Sequence, residues 1–247
     1  MKSMASKPHT DEVHRKQRVV KNPIKFKITL NEEQKEAKAK ILENTITMLA
    51  GKAGSGKTLL AVQVALDGLL RRHYEKIIIT RPTVSKEEIG FLPGDLREKM
   101  DPWIQPIYQN MFALYDKVKV EKLIEDGKIE IVPLAFMRGR TFLDSCIIVD
   151  EAQNVTHEQM EMIATRIGLR SKMIICGDDH QTDLKSKRES GFRFLYKAMR
   201  TIKNAVGITL FQNHRDPIVD DLIQVYEEAS AQGIKLGSSG TSGRSKK

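Results

Sequence analysis

The sequence predicts a three-layer α/β fold in which a mainly parallel β-sheet lies between helices. Short β-branched runs alternate with longer helical stretches through the middle of the chain, and this alternation is typical of a parallel sheet covered on both faces. The clearest helix spans residues 59–70, where Leu59, Val62, Leu66 and Leu69 recur at helical spacing. The predicted strands are residues 46–50, 77–80, 129–132, 146–149, 173–176 and 205–210.

One domain, residues 23–236, is expected between two disordered tails. Residues 1–22 are basic and lack periodicity, and residues 237–247 consist of Gly, Ser, Thr, Lys and Arg, a linker-like composition. The tails carry most of the net charge of +9, since residues 1–22 and 235–247 together supply +8. Charge alone is therefore weak evidence for a nucleic-acid partner, because solvated basic tails account for it equally well.

A cytoplasmic protein without a membrane span is expected. The longest apolar runs, such as residues 146–149, are far shorter than the roughly 18 to 20 residues of a membrane helix. No apolar stretch follows the basic N-terminus that could serve as a signal peptide. Cys146 and Cys176 lie in or beside apolar runs without metal-ligand spacing, which predicts two buried thiols.

A glycine-rich motif joins the first predicted strand to the clearest helix. It matches G-x-x-x-x-G-K-[ST], in which backbone N–H groups and a helix N-terminus surround phosphates. Lys57 is placed to reach the β- and γ-phosphates, and Thr58 to offer its hydroxyl to Mg²⁺. The alternative is a glycine-rich turn that binds nothing, which the strand before it and the helix after it disfavour. The predicted nucleotide-binding residues are Gly51, Lys52, Ala53, Gly54, Ser55, Gly56, Lys57, Thr58 and Leu59.

An acidic pair directly follows the strand at residues 146–149. Mg²⁺ prefers oxygen ligands, so Asp150 suits the metal, directly or through a water molecule. Glu151 is placed to orient and deprotonate the water that attacks the γ-phosphate. The alternative interpretation is a surface pair that caps the following helix.

Polar residues in two further segments are candidates for the same site. Asp178 and Gln181 follow the strand at residues 173–176 and could sense the γ-phosphate, unless this segment is a plain turn rich in aspartate. Asn31 and Gln34 fit a helix capping box, whereas Gln34 could instead contact the adenine ring. The residues alone leave both interpretations of Gln34 open.

Distinctive segments outside these motifs identify a family. With the glycine-rich loop and the Asp-Glu-Ala-Gln strand end, they resemble the PhoH-like proteins, a P-loop family related to superfamily 1 helicases, over about residues 29–228. Trp103 stands where tyrosine is expected. Residues 211–217 depart from the usual aspartate-isoleucine-valine-arginine-histidine run, so Arg215 matches less well than Lys57. The matching segments are Thr80-Arg81-Pro82-Thr83-Val84, Ile89-Gly90-Phe91-Leu92-Pro93-Gly94-Asp95-Leu96, Lys99-Met100-Asp101-Pro102-Trp103 and Pro133-Leu134-Ala135-Phe136-Met137-Arg138-Gly139-Arg140-Thr141.

The resemblance implies a RecA-like core that binds and hydrolyses ATP with Mg²⁺ and acts on RNA or single-stranded nucleic acid. It favours Gln34 as the adenine-contacting residue. It also implies a ring-shaped homo-oligomer, because a single RecA-like unit would take a catalytic arginine from its neighbour. Arg215 is one candidate for that arginine, and the others are Arg166, Arg170 and Arg188. The tails leave no room for an appended nuclease domain, so no intrinsic nuclease is expected.

Three arginines are placed like the elements that grip a nucleic-acid strand in related motors. Arg81 ends a predicted strand, and Arg138 and Arg140 lie in a glycine-containing loop. The alternative is that Arg81 and Arg138 pair with carboxylates such as Asp95 or Glu87 and only order the loops.

The main functional hypothesis is a nucleic-acid-stimulated ATPase, a helicase or RNA remodeller. The alternative is an ATP-driven protein remodeller or regulatory switch that has no nucleic-acid substrate. A small-molecule kinase is disfavoured because Glu151 is placed to activate water.

Overall fold

The computed structural model describes residues 26–82, 96–178, 189–214 and 216–231, in which strands and helices alternate. The strands are β1 (Ile46–Gly51), β2 (Lys76–Thr80), β3 (Ile129–Ile131), β4 (Ser145–Val149), β5 (Lys172–Gly177) and β6 (Ala205–Leu210). The helices are α1 (Glu32–Glu43), α2 (Lys57–Leu70), α3 (Leu96–Leu114), α4 (Lys117–Glu125), α5 (His157–Ala164), α6 (Gly191–Ala198) and α7 (Ile218–Ala231). Short 3₁₀ helices cover Leu134–Phe136, Ala152–Asn154 and Met199–Thr201.

The six strands form one sheet in the order β3-β2-β4-β5-β1-β6. Its neighbouring strands pair in parallel. Strand β5 therefore lies between β1, which leads into the glycine-rich loop, and β4, which leads into the acidic pair. All six predicted strands form, and the predicted RecA-like α/β fold with a mainly parallel sheet is confirmed.

Alternating side chains on the strands build a separate core on each face of the sheet. On β4, Cys146 and Ile148 pack in a cluster that includes residues of α1, α2 and α3. Ile147 and Val149 point to the opposite face and pack in a cluster with residues of α5 and α6. This alternation produces the three layers, because successive side chains of a strand point to opposite faces.

The parallel strands bring their carboxyl ends to one edge of the sheet. At this edge β1 leads into the glycine-rich loop, β2 into Arg81, β4 into Asp150 and Glu151, and β5 into Asp178. The backbone N–H of Asp150 donates to the carbonyl of Thr80 at 3.0 Å, which holds the ends of β2 and β4 together. The candidate functional residues are thus positioned by the sheet itself.

Both cysteines are buried in the core, as predicted. Cys146 and Cys176 lie in the same apolar cluster. Burial raises the pKa of the Cys146 thiol to about 12 and raises the pKa of Cys176 well above its ordinary value. Both thiols are therefore protonated and unreactive in the folded protein at neutral pH.

A buried lysine caps the C-terminal end of α1. Lys172, the first residue of β5, is almost fully buried, and its Nζ donates to the carbonyl oxygens of Ile41, Leu42 and Asn44. Burial lowers the pKa of this amine. The last carbonyl groups of a helix lack partners within the helix. Lys172 satisfies those of Ile41 and Leu42, and the Asn44 side chain satisfies that of Lys40, so Lys172 ties the end of α1 to the sheet.

In the part of the chain that the structure describes, no helix is both long enough and apolar enough to span a bilayer.

Lys172→Met should lower the free energy of unfolding by roughly 1–3 kcal/mol, because the buried Ile41 carbonyl and the part-buried carbonyls of Leu42 and Asn44 would lose their donor. Chemical denaturation monitored by circular dichroism measures this loss. The matched control is Lys40→Met, an exposed position on α1, where a change within about 0.5 kcal/mol is expected. Equal losses in the two variants would contradict the capping role of Lys172.

Candidate nucleotide-binding site

The glycine-rich loop needs glycine at two positions for different reasons. Gly56 precedes α2 in a left-handed conformation with φ of 80°, and a Cβ added there would lie 2.5 Å from Nε2 of Gln34. A Cβ on Gly51 would lie 2.5 Å from the carbonyl oxygen of Leu210. A side chain at Gly56 would be strained by the left-handed backbone and would displace the Gln34 amide, whereas one at Gly51 would collide with the backbone of Leu210.

Lys57 folds over the loop that precedes it. Its Nζ donates to the carbonyl oxygens of Gly51 at 2.7 Å and Lys52 at 2.9 Å. The first turn of α2 itself contributes no acidic residue, and its N-terminus carries the positive end of the helix dipole. The ammonium group and the helix N-terminus together favour an anion at this loop.

Thr58 and Asp150 join the two halves of the site. The Thr58 hydroxyl donates to Oδ1 of Asp150 at 2.8 Å. Asp150 is 5% exposed, and this burial, together with the neighbouring charge of Glu151, raises its pKa. The hydrogen bond from Thr58 and the charge of Arg81 oppose that rise.

These two oxygen atoms fit Mg²⁺. A buried carboxylate with a raised pKa would be stabilised by a cation, and hydroxyl and carboxylate oxygens are the ligands that Mg²⁺ accepts. Within the described residues, no group of three or more His, Cys, Asp or Glu could hold a metal ion. Thr58 and Asp150 supply two oxygen ligands, so an ion held there would take its remaining ligands from phosphates and water.

Glu151 is held on both carboxylate oxygens. Its Oε1 accepts from Nη2 of Arg81 at 2.9 Å, and its Oε2 accepts from Nε2 of Gln153 at 2.6 Å. Gln153 is buried, and its own Oε1 accepts from the backbone N–H of Asp178 at 3.0 Å. Glu151 also adopts a left-handed backbone conformation with φ of 53°, a strained geometry that occurs preferentially at functional sites.

The motifs converge on a single cleft of about 360 Å³. This volume lies within the range of small-molecule sites in proteins. Its lining residues come from the loop, from α2 and α3, and from the ends of β4 and β5. They are Ala53, Gly54, Gly56, Lys57, Thr58, Leu59, Asn110, Asp150, Glu151, Gln153, Cys176, Gly177 and Asp178.

Gln34 satisfies the capping-box interpretation and also lies against the loop. Its backbone N–H donates to Oδ1 of Asn31 at 2.7 Å, and the Asn31 N–H donates to Oε1 of Gln34 at 3.3 Å, which completes the box. The Nε2 atom of Gln34 lies 3.2 Å from Nε2 of His214. The predicted capping box therefore forms, and it leaves the amide beside Gly56.

The segment after β6 fastens α1 to the loop. The backbone N–H groups of Phe211 and Gln212 donate to the carboxylate of Glu33 at 2.8 and 3.2 Å. The N–H of His214 donates to the carbonyl of Gly54 at 3.1 Å. These contacts place His214 beside Gln34 at the mouth of the loop.

Four residues at the site have no place in the sequence-based prediction: Glu33, Asn110, Gln153 and His214. Gln153 offered a signal, since it lies two positions after Glu151 at the same strand end. Asn110 comes from α3 and lies in no motif that indicates a nucleotide site. His214 lies in residues 211–217, the segment that departs from the usual run of the family.

The three arginines predicted to bind nucleic acid have different surroundings. Arg81 pairs with Glu151. Arg140 pairs with Glu130 at 2.8 Å and lies over the ring of Phe142 at 4.7 Å, so it orders its own loop. Arg138 is exposed. The carboxylates of Glu87 and Asp95, considered above as partners, lie outside the described residues.

Other predicted residues lie away from the cleft or outside the described ranges. Gln181, Arg188 and Arg215 are outside them. Arg170 forms two hydrogen bonds with Asp144, at 2.6 and 2.5 Å, at the amino ends of β4 and β5. Arg170 therefore lies at the end of the sheet opposite the glycine-rich loop of the same chain.

Comparison with known families decides the classification. The family model described as PhoH-like protein matches residues 27–227. The chain belongs to the PhoH-like protein family. A PhoH-like protein of Bacillus subtilis is 44% identical over 198 residues, covering 79% of this chain and 62% of that protein. A PhoH-like protein of Synechocystis is 41% identical over 192 residues, covering 76% of this chain and 58% of that protein. The chain thus spans about three-fifths of the length of these PhoH-like relatives.

Similar solved structures are more distant. The Pif1 helicase of Candida albicans aligns with a TM-score of 0.45 and 16% identity, covering 81% of this PhoH-like chain and 44% of the helicase. The SWI2/SNF2 ATPase core domain of Sulfolobus solfataricus aligns with a TM-score of 0.45 and 14% identity, covering 81% of this chain and 46% of that one.

Asp150→Asn should stabilise the protein in the absence of metal and nucleotide. A raised carboxyl pKa means that the folded protein keeps this proton at pH values where the unfolded chain has lost it. Ionisation of Asp150 therefore lowers the free energy of unfolding as pH rises from the ordinary pKa of 3.8 through the folded-state pKa. Asparagine removes this cost and can still accept the Thr58 hydrogen bond.

We expect a higher Tm for Asp150→Asn than for the parent protein at pH 8, with the difference shrinking towards pH 4. Thermal unfolding by circular dichroism across this pH range measures it. With Mg²⁺ and ADP added, the parent should gain more stability than the variant. A variant less stable than the parent at pH 8 without Mg²⁺ would contradict the buried-charge interpretation.

Proposed function

We propose that this PhoH-like protein is a Mg²⁺-dependent ATPase whose turnover is stimulated by single-stranded nucleic acid, with residues 23–236 as the catalytic unit. The observation that carries the proposal is the convergence of Lys57, Thr58, Asp150 and Glu151 on one cleft. These residues come from two separate strand ends, and their chemistry corresponds to phosphate binding, metal binding and activation of water.

Phosphate binding is assigned to the loop from Gly51 to Thr58. Its backbone N–H groups and the N-terminus of α2 would surround the β-phosphate. Lys57 would exchange its contacts with the carbonyls of Gly51 and Lys52 for contacts with the β- and γ-phosphates. Gln34, next to Gly56, would contact the adenine from the other side of the loop.

Mg²⁺ binding is assigned to the Thr58 hydroxyl and, directly or through water, to Asp150. When bound, the ion would neutralise charge on the β- and γ-phosphate oxygens. The Thr58 hydrogen bond to Asp150 keeps both oxygen atoms together before any ligand arrives, so little reorganisation is needed.

Hydrolysis is assigned to Glu151 as general base. Glu151 takes a proton from a water molecule, whose oxygen forms a bond to the γ-phosphorus. The bond between this phosphorus and the β,γ-bridging oxygen breaks, and the electron pair stays on ADP. Inorganic phosphate is the second product, and the proton on Glu151 returns to solvent. Asp178, joined to Glu151 through Gln153, would sense the state of the γ-phosphate.

Nucleic-acid stimulation is supported by two arginines at the carboxyl edge of the sheet. Arg81 follows β2, and the exposed Arg138 lies in the loop after β3. Guanidinium groups bind the phosphates of a single strand without selecting its sequence. The alternative is a protein-remodelling switch, which would hydrolyse ATP at a rate indifferent to polynucleotide.

A head-to-tail ring would supply the arginine that stabilises the transferred phosphoryl group. Arg170 lies at the amino ends of the strands, away from the nucleotide site of its own subunit, so in a ring it would have to act on a neighbouring subunit. Arg166 and Arg215 are further candidates for this role. Light scattering coupled to size-exclusion chromatography, with and without nucleotide, tests for the ring.

Glu151→Gln should lower the ATP turnover number by about 10²- to 10⁴-fold while ATP still binds, because only the proton acceptor is lost. Lys57→Ala should lose both binding and turnover. Steady-state phosphate release and equilibrium binding of a fluorescent ATP analogue measure the two effects. Glu158→Gln, an exposed carboxylate on α5, is the matched control and should leave turnover unchanged. Parental turnover in Glu151→Gln would remove Glu151 as the base.

Single-stranded RNA or DNA should raise ATP turnover, and its affinity should fall steeply between about 50 and about 200 mM salt, because phosphate contacts release counterions. Steady-state hydrolysis with oligo(U) RNA and oligo(dT) DNA at both salt concentrations measures this. Turnover that no polymer changes would favour the protein-remodelling switch.

A further inference from the structure

Arg81 contacts the proposed general base, Glu151, and is also one of the two arginines proposed to bind single-stranded nucleic acid. Arg81 donates from Nη2 to Oε1 of Glu151 at 2.9 Å. The same contact is an ion pair in which the Arg81 side chain is 18% exposed and the Glu151 side chain 37% exposed. The Arg81 side chain is therefore partly exposed to solvent.

The order of the strands places Arg81 on the far side of Glu151 from the glycine-rich loop. Glu151 follows β4, and β4 lies between β2 and β5 in the sheet, with β1 beyond β5. Arg81 follows β2. The guanidinium thus contacts the Glu151 carboxylate from the β2 side, away from the strand that leads into the glycine-rich loop.

The second contact of Glu151 belongs to a rigid frame. Gln153 donates to Oε2 of Glu151 and accepts from the backbone of Asp178. Its own backbone carbonyl accepts from the buried hydroxyl of Ser190. Gln153 is buried and held at both its side chain and its backbone, so Arg81 is the more exposed of these two partners of Glu151.

We infer that Arg81 is a positioning residue that restrains Glu151 in the resting protein. A phosphate of a bound single-stranded nucleic acid draws Arg81 away and frees Glu151 to accept the proton of water. This inference rests on the proposed ATPase function, and it names how the strand would control that site.

The exchange follows from the chemistry of the three groups. A guanidinium binds carboxylate and phosphodiester oxygens with similar geometry. Two anions on one partly buried arginine repel each other, so a well-held phosphate weakens the contact with Glu151. The Oε1 atom of Glu151 is then released to accept the proton of water, while Oε2 keeps its hydrogen bond to Gln153, with no movement of the sheet.

The test compares ATP hydrolysis by the parent protein, Arg81→Ala and Arg81→Lys, each with and without oligo(U) RNA and oligo(dT) DNA. For Arg81→Ala without polymer we expect a turnover number roughly three- to tenfold above the parent, the size of effect of a partly exposed ion pair. The KM for ATP should not change, and added polymer should stimulate no further. Arg81→Lys keeps the positive charge, and its turnover number without polymer should lie between those of the parent and Arg81→Ala.

Matched variants separate this effect from general ones. Arg71 pairs with Asp67 at 2.8 Å at the end of α2, so Arg71→Ala removes an arginine–carboxylate pair elsewhere and should keep parental basal turnover and stimulation. Adding Glu151→Gln to Arg81→Ala should abolish the elevated basal turnover, since the freed base is its cause. Thermal unfolding confirms that each variant is folded.

The outcomes distinguish failure of the restraint on Glu151 from failure of the proposed ATPase function. The restraint is overturned if the basal turnover of Arg81→Ala and Arg81→Lys is at or below the parental value while KM is unchanged and polymer still stimulates the parent. That result leaves the proposed ATPase intact. Absence of hydrolysis in the parent and in every variant, with or without polymer, overturns the proposed function itself.

Discussion

The site depends on one constraint, the parallel alignment of β2, β4, β5 and β1, which brings four strand ends to the same edge. Each strand end contributes a different chemical group: a guanidinium, two carboxylates, a further aspartate and the glycine-rich loop. The hydrogen bond from the Asp150 N–H to the Thr80 carbonyl extends the pairing of β2 and β4 to the functional residues. A slip of one residue in either strand would turn these side chains to the opposite face of the sheet.

The groups at this edge are not arranged for the stability of the free protein. Asp150 is a buried carboxylate with a raised pKa, and burial of a charge is costly unless a cation or donors compensate for it. Glu151 occupies a left-handed backbone conformation that is unfavourable for a residue with a Cβ. The surrounding apolar clusters on both faces of the sheet hold these groups in place. A ligand that supplies Mg²⁺ and phosphates would relieve part of this cost.

The proposed adenine contact depends on how α1 is held. Lys172 binds the carbonyls of Ile41 and Leu42 at its C-terminal end, while Glu33 binds the backbone of residues 211 and 212 near its N-terminus. Gln34 is consequently fixed at a defined position against Gly56. Its capping role and its proposed adenine contact are compatible, because the backbone and Oε1 form the box while Nε2 faces His214.

The sequence by itself determined the features that depend on local spacing. The strands follow from β-branched runs, α2 from its periodic leucines, and Lys57 and Thr58 from a motif of eight consecutive residues. Asp150 and Glu151 follow from their position directly after a buried strand. The tertiary structure alone decided which distant groups meet: Arg81 and Glu151 are 70 residues apart, Gln34 and His214 are 180 apart, and Lys172 and Ile41 are 131 apart. Such partners depend on the order of strands in the sheet and on side-chain rotamers, and neither leaves a periodic signal in the chain.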